Sequence, residues 1–321
     1  MHRPTAAANS LLLLLLLAGA AANLSMATEE PLAPAGPPPP SCVPREREAL
    51  LAFKRGITGD PTGFLASWKQ DDHDCCRWKG VTCSNSTGHV LELHLRTNND
   101  LQGRITSHLL DLEHLEHLDL SNNNLTGPAG RLPKFVGSLR NLRHLNLSSM
   151  PFTGMVPPQL GNLSNLRYLN LSDGYDMYST DISWLTQLPW LEYLDLSHVD
   201  LTKISDWPRF VNTNPYLRSV YLSQCSLTSA SHSFSQVNFT RLEKLVLSGN
   251  NFNDSLESCW FWNLTSLRAA REFNALLDQQ TKGTKLVLQQ YRRKSTAWGG
   301  QIYQFKHSRP FYKPNYWIRA L

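Results

Sequence analysis

The sequence predicts an α/β-type solenoid, on three observations. A template L-x-x-L-x-L starts at Val90 and returns at Leu115, Leu142, Leu166, Leu191, Leu217, Leu242 and, in degenerate form, Leu267. The steps between successive starts are 25, 27, 24, 25, 26, 25 and 25 residues. Just ahead of the first template lies a dense cluster of Trp68, Cys75, Cys76, Trp78 and Cys83, the composition of a cap.

A leucine template at a period of 24–25 residues is the signature of a right-handed leucine-rich-repeat coil. Each unit lays one short strand on a concave face, its template leucines inward and the residues between them facing solvent. A single unit cannot bury its apolar edge, so stacked units share one continuous core. Asn123 and Asn250 occupy a ladder position, where an inward amide can bond the loop backbones of its own and neighbouring coils. Cys225 stands at the equivalent place as a small buried residue.

The elements follow in order. Residues 1–22 read as a secretory signal peptide: Arg3, an apolar run from Leu11 to Leu17, then small residues. That run is shorter than the roughly 20 apolar residues of a membrane span, and no later segment supplies one. The expected location is therefore secreted and extracellular, in oxidising conditions. Residues 23–41 are a Pro/Ala-rich linker. Residues 42–88 form the cap, with a short amphipathic helix carrying Ala49, Leu50, Phe53 and Ile57, ended by Asp60-Pro61-Thr62-Gly63. Residues 89–268 hold seven repeats and a partial eighth. Residues 269–321 match no repeat and are basic. From Ala270 onward ten Lys or Arg face two acids, so the rest of the chain is slightly acidic despite a total of +5.

Four cap cysteines, Cys42, Cys75, Cys76 and Cys83, suit two disulfides, with three connectivities open from sequence. N-x-S/T acceptors for glycans lie at Asn85, Asn124, Asn146, Asn162, Asn170, Asn238, Asn253 and Asn263, with Asn23 a ninth if cleavage precedes it. Asn146 and Asn170 sit in L-N-L-S on adjacent strands, which predicts side chains, and any glycans, standing out of the concave face. No nucleophile elbow, zinc-protease helix or phosphate loop is present, so catalytic, cofactor and metal residues are all expected to be absent. Asp71, Asp72, His73 and Asp74 read as a solvated turn, and His114 and His117 as exposed polar residues. The candidate ligand contacts are concave-face residues: His117, His144, Tyr168, Tyr193, Asp195, Tyr221 and Lys244.

The stretch EREALLAFKRGITGDPTGFLASWKQDDHDCCRWKGVTCSNSTGHVLELHL resembles the N-terminal cap of plant leucine-rich-repeat receptors. LTG and GMVP resemble the plant-type repeat, which adds a second short strand. DISWLTQLPWLEYLDLS and SCWFWNLTSLR are similar to receptor-like proteins of the fungal-xylanase-receptor and tomato leaf-mould-resistance kind. The resemblance covers residues 42 to about 268, the N-terminal part of such an ectodomain. It implies Cys42–Cys75 and Cys76–Cys83 pairing, an extracellular peptide, protein or glycan ligand, and a co-receptor kinase that carries the signal in defence or development. It also implies a plasma-membrane ectodomain where the gene encodes an anchor; this chain shows none. Nucleic acid is excluded as a partner outside the cell. The alternatives are a soluble apoplastic inhibitor of a pectin-degrading enzyme, its basic tail drawn to acidic pectate, and a truncated product without function.

Overall fold

The computed structural model describes residues 41–230, 234, 236–252, 259–267 and 269–271. The signal peptide, the linker up to residue 40, Asn253 and the tail beyond residue 271 lie outside the described residues.

One sheet runs the length of the described chain. Its strands are β2 (Val81–Cys83), β3 (Val90–His94), β5 (His117–Asp119), β7 (His144–Asn146), β9 (Tyr168–Asn170), β11 (Tyr193–Asp195), β12 (Ser219–Tyr221), β13 (Lys244–Val246) and β14 (Ala269–Arg271). All pairings are parallel except that of β2 with β3. The register is unshifted from β3 to β14, because each strand sits at the same place in its repeat: Leu93, Leu118, Leu145, Leu169, Leu194, Val220 and Leu245 are successive partners. All seven are buried and form the spine of one core. The degenerate unit after Leu267 still contributes β14, which pairs in parallel with β13 through the backbone.

A second ladder lies on the flank. β1 (Ile57–Gly59) pairs antiparallel with β4 (Gln102–Arg104), which pairs in parallel with β6 (Asn124–Thr126). Further along, β8 (Thr153–Met155) pairs with β10 (Asp176–Tyr178). Ile57 belongs to this ladder and not to the cap helix, since α1 (Pro44–Arg55) ends at Gly56. A Cβ at Gly103 would meet the Gly56 carbonyl oxygen at 2.3 Å, so glycine is what admits β4 this close to the cap.

Each coil turns the same corner after its concave strand. Asn122, Ser149, Asp173, His198, Gln224 and Gly249 all have φ between 52° and 73°. The amides of the first five reach the next coil, as in Ser149 N to Ser172 O at 2.8 Å and His198 N to Ser223 O at 2.9 Å. Inside, Asn123 Nδ2 donates to the carbonyls of Leu95 (2.6 Å), Leu120 (2.9 Å) and Ser121 (3.3 Å), while its Oδ1 accepts from Leu101 N. Asn250 does the same for Leu222, Leu247, Cys225 and Leu227. Cys225 is fully buried, its Sγ 3.2 Å from Leu196 O, and burial pushes its thiol pKa up to about 12.

The cap closes the first coil. Cys42 is joined to Cys75 and Cys76 to Cys83. Trp68 stacks on Trp78 at 5.5 Å, and both are buried beneath α1. The carboxylate of Glu46, itself buried, accepts from Val90 N at 2.6 Å and lies 2.8 Å from His89 Nδ1, tying the helix to the first repeat. The acidic turn is more than a solvated one. Asp74 Oδ1 accepts from Cys42 N and Cys76 N, both at 3.2 Å, and Asp72 accepts from Trp78 Nε1 at 3.1 Å. The backbone amide of Asp74 holds the Asp72 carboxyl below its usual pKa. Among the described residues, no helix is long and apolar enough to cross a membrane.

Candidate functional site

The side chains that face outward from the concave strands fall into columns, because the register repeats. The first column holds Glu92, His117, His144, Tyr168, Tyr193, Ser219 and Lys244, and the second His94, Asp119, Asn146, Asn170, Asp195, Tyr221 and Val246. Parallel strands lie roughly 4.8 Å apart, so rings at equivalent positions are forced into face-to-face contact. His94, His117, His144, Tyr168, Tyr193 and Tyr221 form one row, with successive centroids 4.1, 3.8, 4.0, 4.2 and 5.3 Å apart. The three central contacts are within 8° of parallel. Lys244 Nζ closes the row 4.6 Å above the Tyr221 ring. The structure thus brings all seven candidate contacts onto one strip, each half-buried, and adds His94.

The chemistry of the strip follows from this packing. Ring faces are consumed by one another, so the surface offers ring edges and polar tips on an apolar stack. Burial is the main cause of every shift in the middle of the row. It lowers the pKa of His117, lowers that of His144 to about 4, and raises those of Tyr193 and Asp195. His117, His144 and Tyr193 are therefore uncharged near neutral pH, and Lys244 stands at one end of the row. At the other end the Glu92 carboxylate is held low by its contact with His94. His117 is accordingly not an isolated exposed polar residue, and His114 stacks on His89 at 3.7 Å.

The second column corrects one expectation. Asn146 and Asn170 lie on the concave side but do not stand clear of it; they are 7% and 9% exposed. Asn146 Nδ2 donates to Asp119 Oδ2 and Ser121 Oγ, both at 3.3 Å, and its Oδ1 accepts from Ser148 N and Oγ. Asp119, Asn170 and Asp195 each accept from the amide two residues on, at Ser121, Ser172 and Ser197. Asn-Leu-Ser here is an Asx turn that ends the strand, so the serine that completes a sequon is also the hydrogen-bond partner of its asparagine. Asn85, Asn124 and Asn162 are exposed, Asn238 is half-exposed, and Asn263 closes a helical turn at 260–263.

Two features beside the strip escaped the sequence reading. A charged ladder lines one edge, with Arg143 facing Glu116, Arg167 and Arg218 facing Glu192, and Arg218 also facing Glu243. Next to it Trp190, 48% exposed, lies 5.0 Å from Tyr216, whose ring is covered by Arg241. Both could have been found by tabulating the residues on either side of the first template leucine.

Residues 43–84 match the family model for the leucine rich repeat N-terminal domain, and residues 114–139 and 141–163 match the leucine rich repeat. Receptor-like protein EIX1 of Solanum lycopersicum is 36% identical over 242 residues, covering 70% of this chain. The chain spans 23% of that relative's length. Among solved structures, the ectodomain of the Arabidopsis thaliana receptor kinase GASSHO1/SCHENGEN3, in complex with CASPARIAN STRIP INTEGRITY FACTOR 2, is 28% identical. It has a TM-score of 0.52 over 63% of this chain and 24% of that one. A plant ice-binding protein is equally similar at 28% identity, with a TM-score of 0.53 over 66% and 65% of the two chains. The fold therefore serves more than one role, whereas the combination of cap, repeat and sequence identity is specific: the chain belongs to the plant leucine-rich-repeat receptor-like proteins.

Proposed function

We propose that the ring row on the concave sheet is the recognition surface of an extracellular receptor-type module, and that it binds a peptide, protein or glycan in defence or developmental signalling. The observation that carries this reading is the continuity of the row. Six rings and a lysine form a rigid strip of polar edges on an apolar stack, fixed by strand register. A surface ordered before binding loses little conformational entropy on contact, and Tyr edges combine apolar area with a hydrogen-bonding tip.

The ligand contacts are Tyr168, Tyr193, Asp195, Tyr221 and Lys244, with His117 and His144 extending the strip toward the cap. The burial of Asn146 and Asn170 in the neighbouring column favours a strip open along its whole length. The GASSHO1/SCHENGEN3 relative holds a named factor in its ectodomain. By analogy a peptide is the first ligand class to test here, with a co-receptor kinase as the signalling partner.

The test is a binding screen of the secreted protein against extracellular peptides and wall-glycan fragments, followed by variants. Tyr193→Ala and Tyr221→Ala are expected to weaken capture at least tenfold, and Trp190→Ala on the neighbouring edge less than threefold. A ligand held equally by all three variants and the parent would place recognition elsewhere and sink this reading.

A further inference from the structure

The cap end of the ring row is built from imidazoles. His94, His117 and His144 come from three neighbouring strands, β3, β5 and β7, and their rings stack in sequence. Asp119 stands in register with His94 on one side and Asn146 on the other. One ligand atom from each of His117, Asp119 and His144 lies within 4.8 Å of the others. We propose that these three residues bind a divalent transition-metal ion of the zinc, copper or nickel class, with the remaining coordination positions open to the concavity.

The donor set selects the class of ion. Two imidazoles and one carboxylate suit zinc, copper(II) and nickel, whereas calcium and magnesium require several oxygen donors. Around a zinc ion with bonds of about 2.0–2.2 Å, neighbouring ligand atoms sit about 3.5 Å apart. The three groups must therefore converge by at most about an ångström, which small shifts of the two half-buried rings within the planes of the stack supply.

One further property favours binding. Asp119 is already oriented, with Oδ1 accepting from Ser121 N at 2.9 Å and Ser121 Oγ at 2.6 Å, as outer partners commonly orient a metal-binding carboxylate.

Two other groupings of potential ligands are disfavoured on chemical grounds. The sulfurs of Cys42, Cys75 and Cys76 are consumed in disulfides. Glu46, His89 and His114 converge beneath the cap, but the Glu46 carboxylate already accepts from Val90 N and contacts His89, and an ion there would have to break the tie between helix and first coil. The proposal is independent of the recognition reading, because an ion can bind whether or not a peptide or glycan does.

The experiment uses the purified secreted chain, stripped with a chelator and titrated with Zn2+, Ni2+ and Cu2+ by calorimetry. One ion per chain is expected, with affinity lowered at least tenfold in His117→Gln, His144→Gln and Asp119→Asn, and unchanged in His108→Gln. Histidine NMR of the parent protein provides a readout that needs no variant: Ni2+ or Cu2+ at substoichiometric levels should broaden the His117 and His144 ring signals first. The proposal is overturned if the parent binds no stoichiometric ion, if the His117→Gln/His144→Gln double variant retains full affinity, or if His89→Gln abolishes binding while His144→Gln does not.

Discussion

The imidazole of His144 lies flat against the phenol of Tyr168, with centroids 4.0 Å apart and planes 8° from parallel. His117 packs on its other face at 3.8 Å. Both faces of one titratable ring are thus sealed by neighbours, and its pKa falls to about 4 as a result. A base with a lowered folded pKa binds its proton in the unfolded chain first. Stability must therefore decline as pH falls from the ordinary histidine range near 6.5 toward 4, and level off below. Thermal melts between pH 4 and 7 should show that slope, and His144→Asn should flatten it. Equal slopes in the two proteins would show that the ring titrates as if in water.

The two cap disulfides should differ in value. Cys42–Cys75 closes a separation of 33 residues and Cys76–Cys83 one of 7. Loop-closure entropy then gives about 4 and about 2.5 kcal/mol respectively. Paired Cys→Ser replacements, compared by denaturant unfolding of the secreted protein, should preserve that order. A larger loss from the Cys76/Cys83 pair would point to contacts of the short loop that chain entropy does not count.

Asn123→Ala removes a side chain that serves three carbonyls and one amide in the interior. Each buried group left unpaired costs about 1–3 kcal/mol, and backbone relaxation recovers part of it, so a loss of about 2–4 kcal/mol is expected. Replacement of the exposed Asn141 by Ala should cost under about 1 kcal/mol. Cys225, in the equivalent position, should resist alkylation in the native protein at pH 8 and react on unfolding, since its thiol is sealed and its pKa sits near 12. Rapid native labelling of Cys225 would contradict the burial described.

Glycan occupancy should separate the sequons by exposure. Asn85, Asn124 and Asn162 are expected to carry sugars in the secreted protein, whereas Asn146 and Asn170, held in strand-ending turns, should be recovered unmodified. Mass spectrometry of the glycopeptides decides this. Sugar on both Asn146 and Asn170 would mean that the turn tolerates a substituted amide and that the strip is partly masked.

The repeat architecture was legible in the sequence because its signal is one-dimensional: equal spacing of the template leucines dictates equal register, and register dictates columns. The ladder roles of Asn123 and Asn250 were legible for the same reason. The ring row was legible as a set of residues but not as a stack, since stacking depends on the strand separation and on which tips lean across columns, as His94 and Tyr221 do. The burial of Asn146 was not legible because its tripeptide fits both a sugar acceptor and an Asx turn, and the pattern alone does not show that the amide folds back onto Asp119, Ser121 and Ser148. The acidic turn at Asp72 and Asp74 was misread because its partners, Cys42 and Trp78, are brought to it by the cap fold and not by local pattern.

The shared left-handed corner at Asn122, Ser149, Asp173, His198, Gln224 and Gly249 gives every coil the same exit direction whatever residue stands there. Duplication or deletion of one period of the gene would then add or remove a single rung of the strip while leaving the geometry of the others intact. Such a surface can be lengthened, shortened or re-lettered one position at a time, so its binding preference can drift by recombination without passing through an unfolded intermediate sequence.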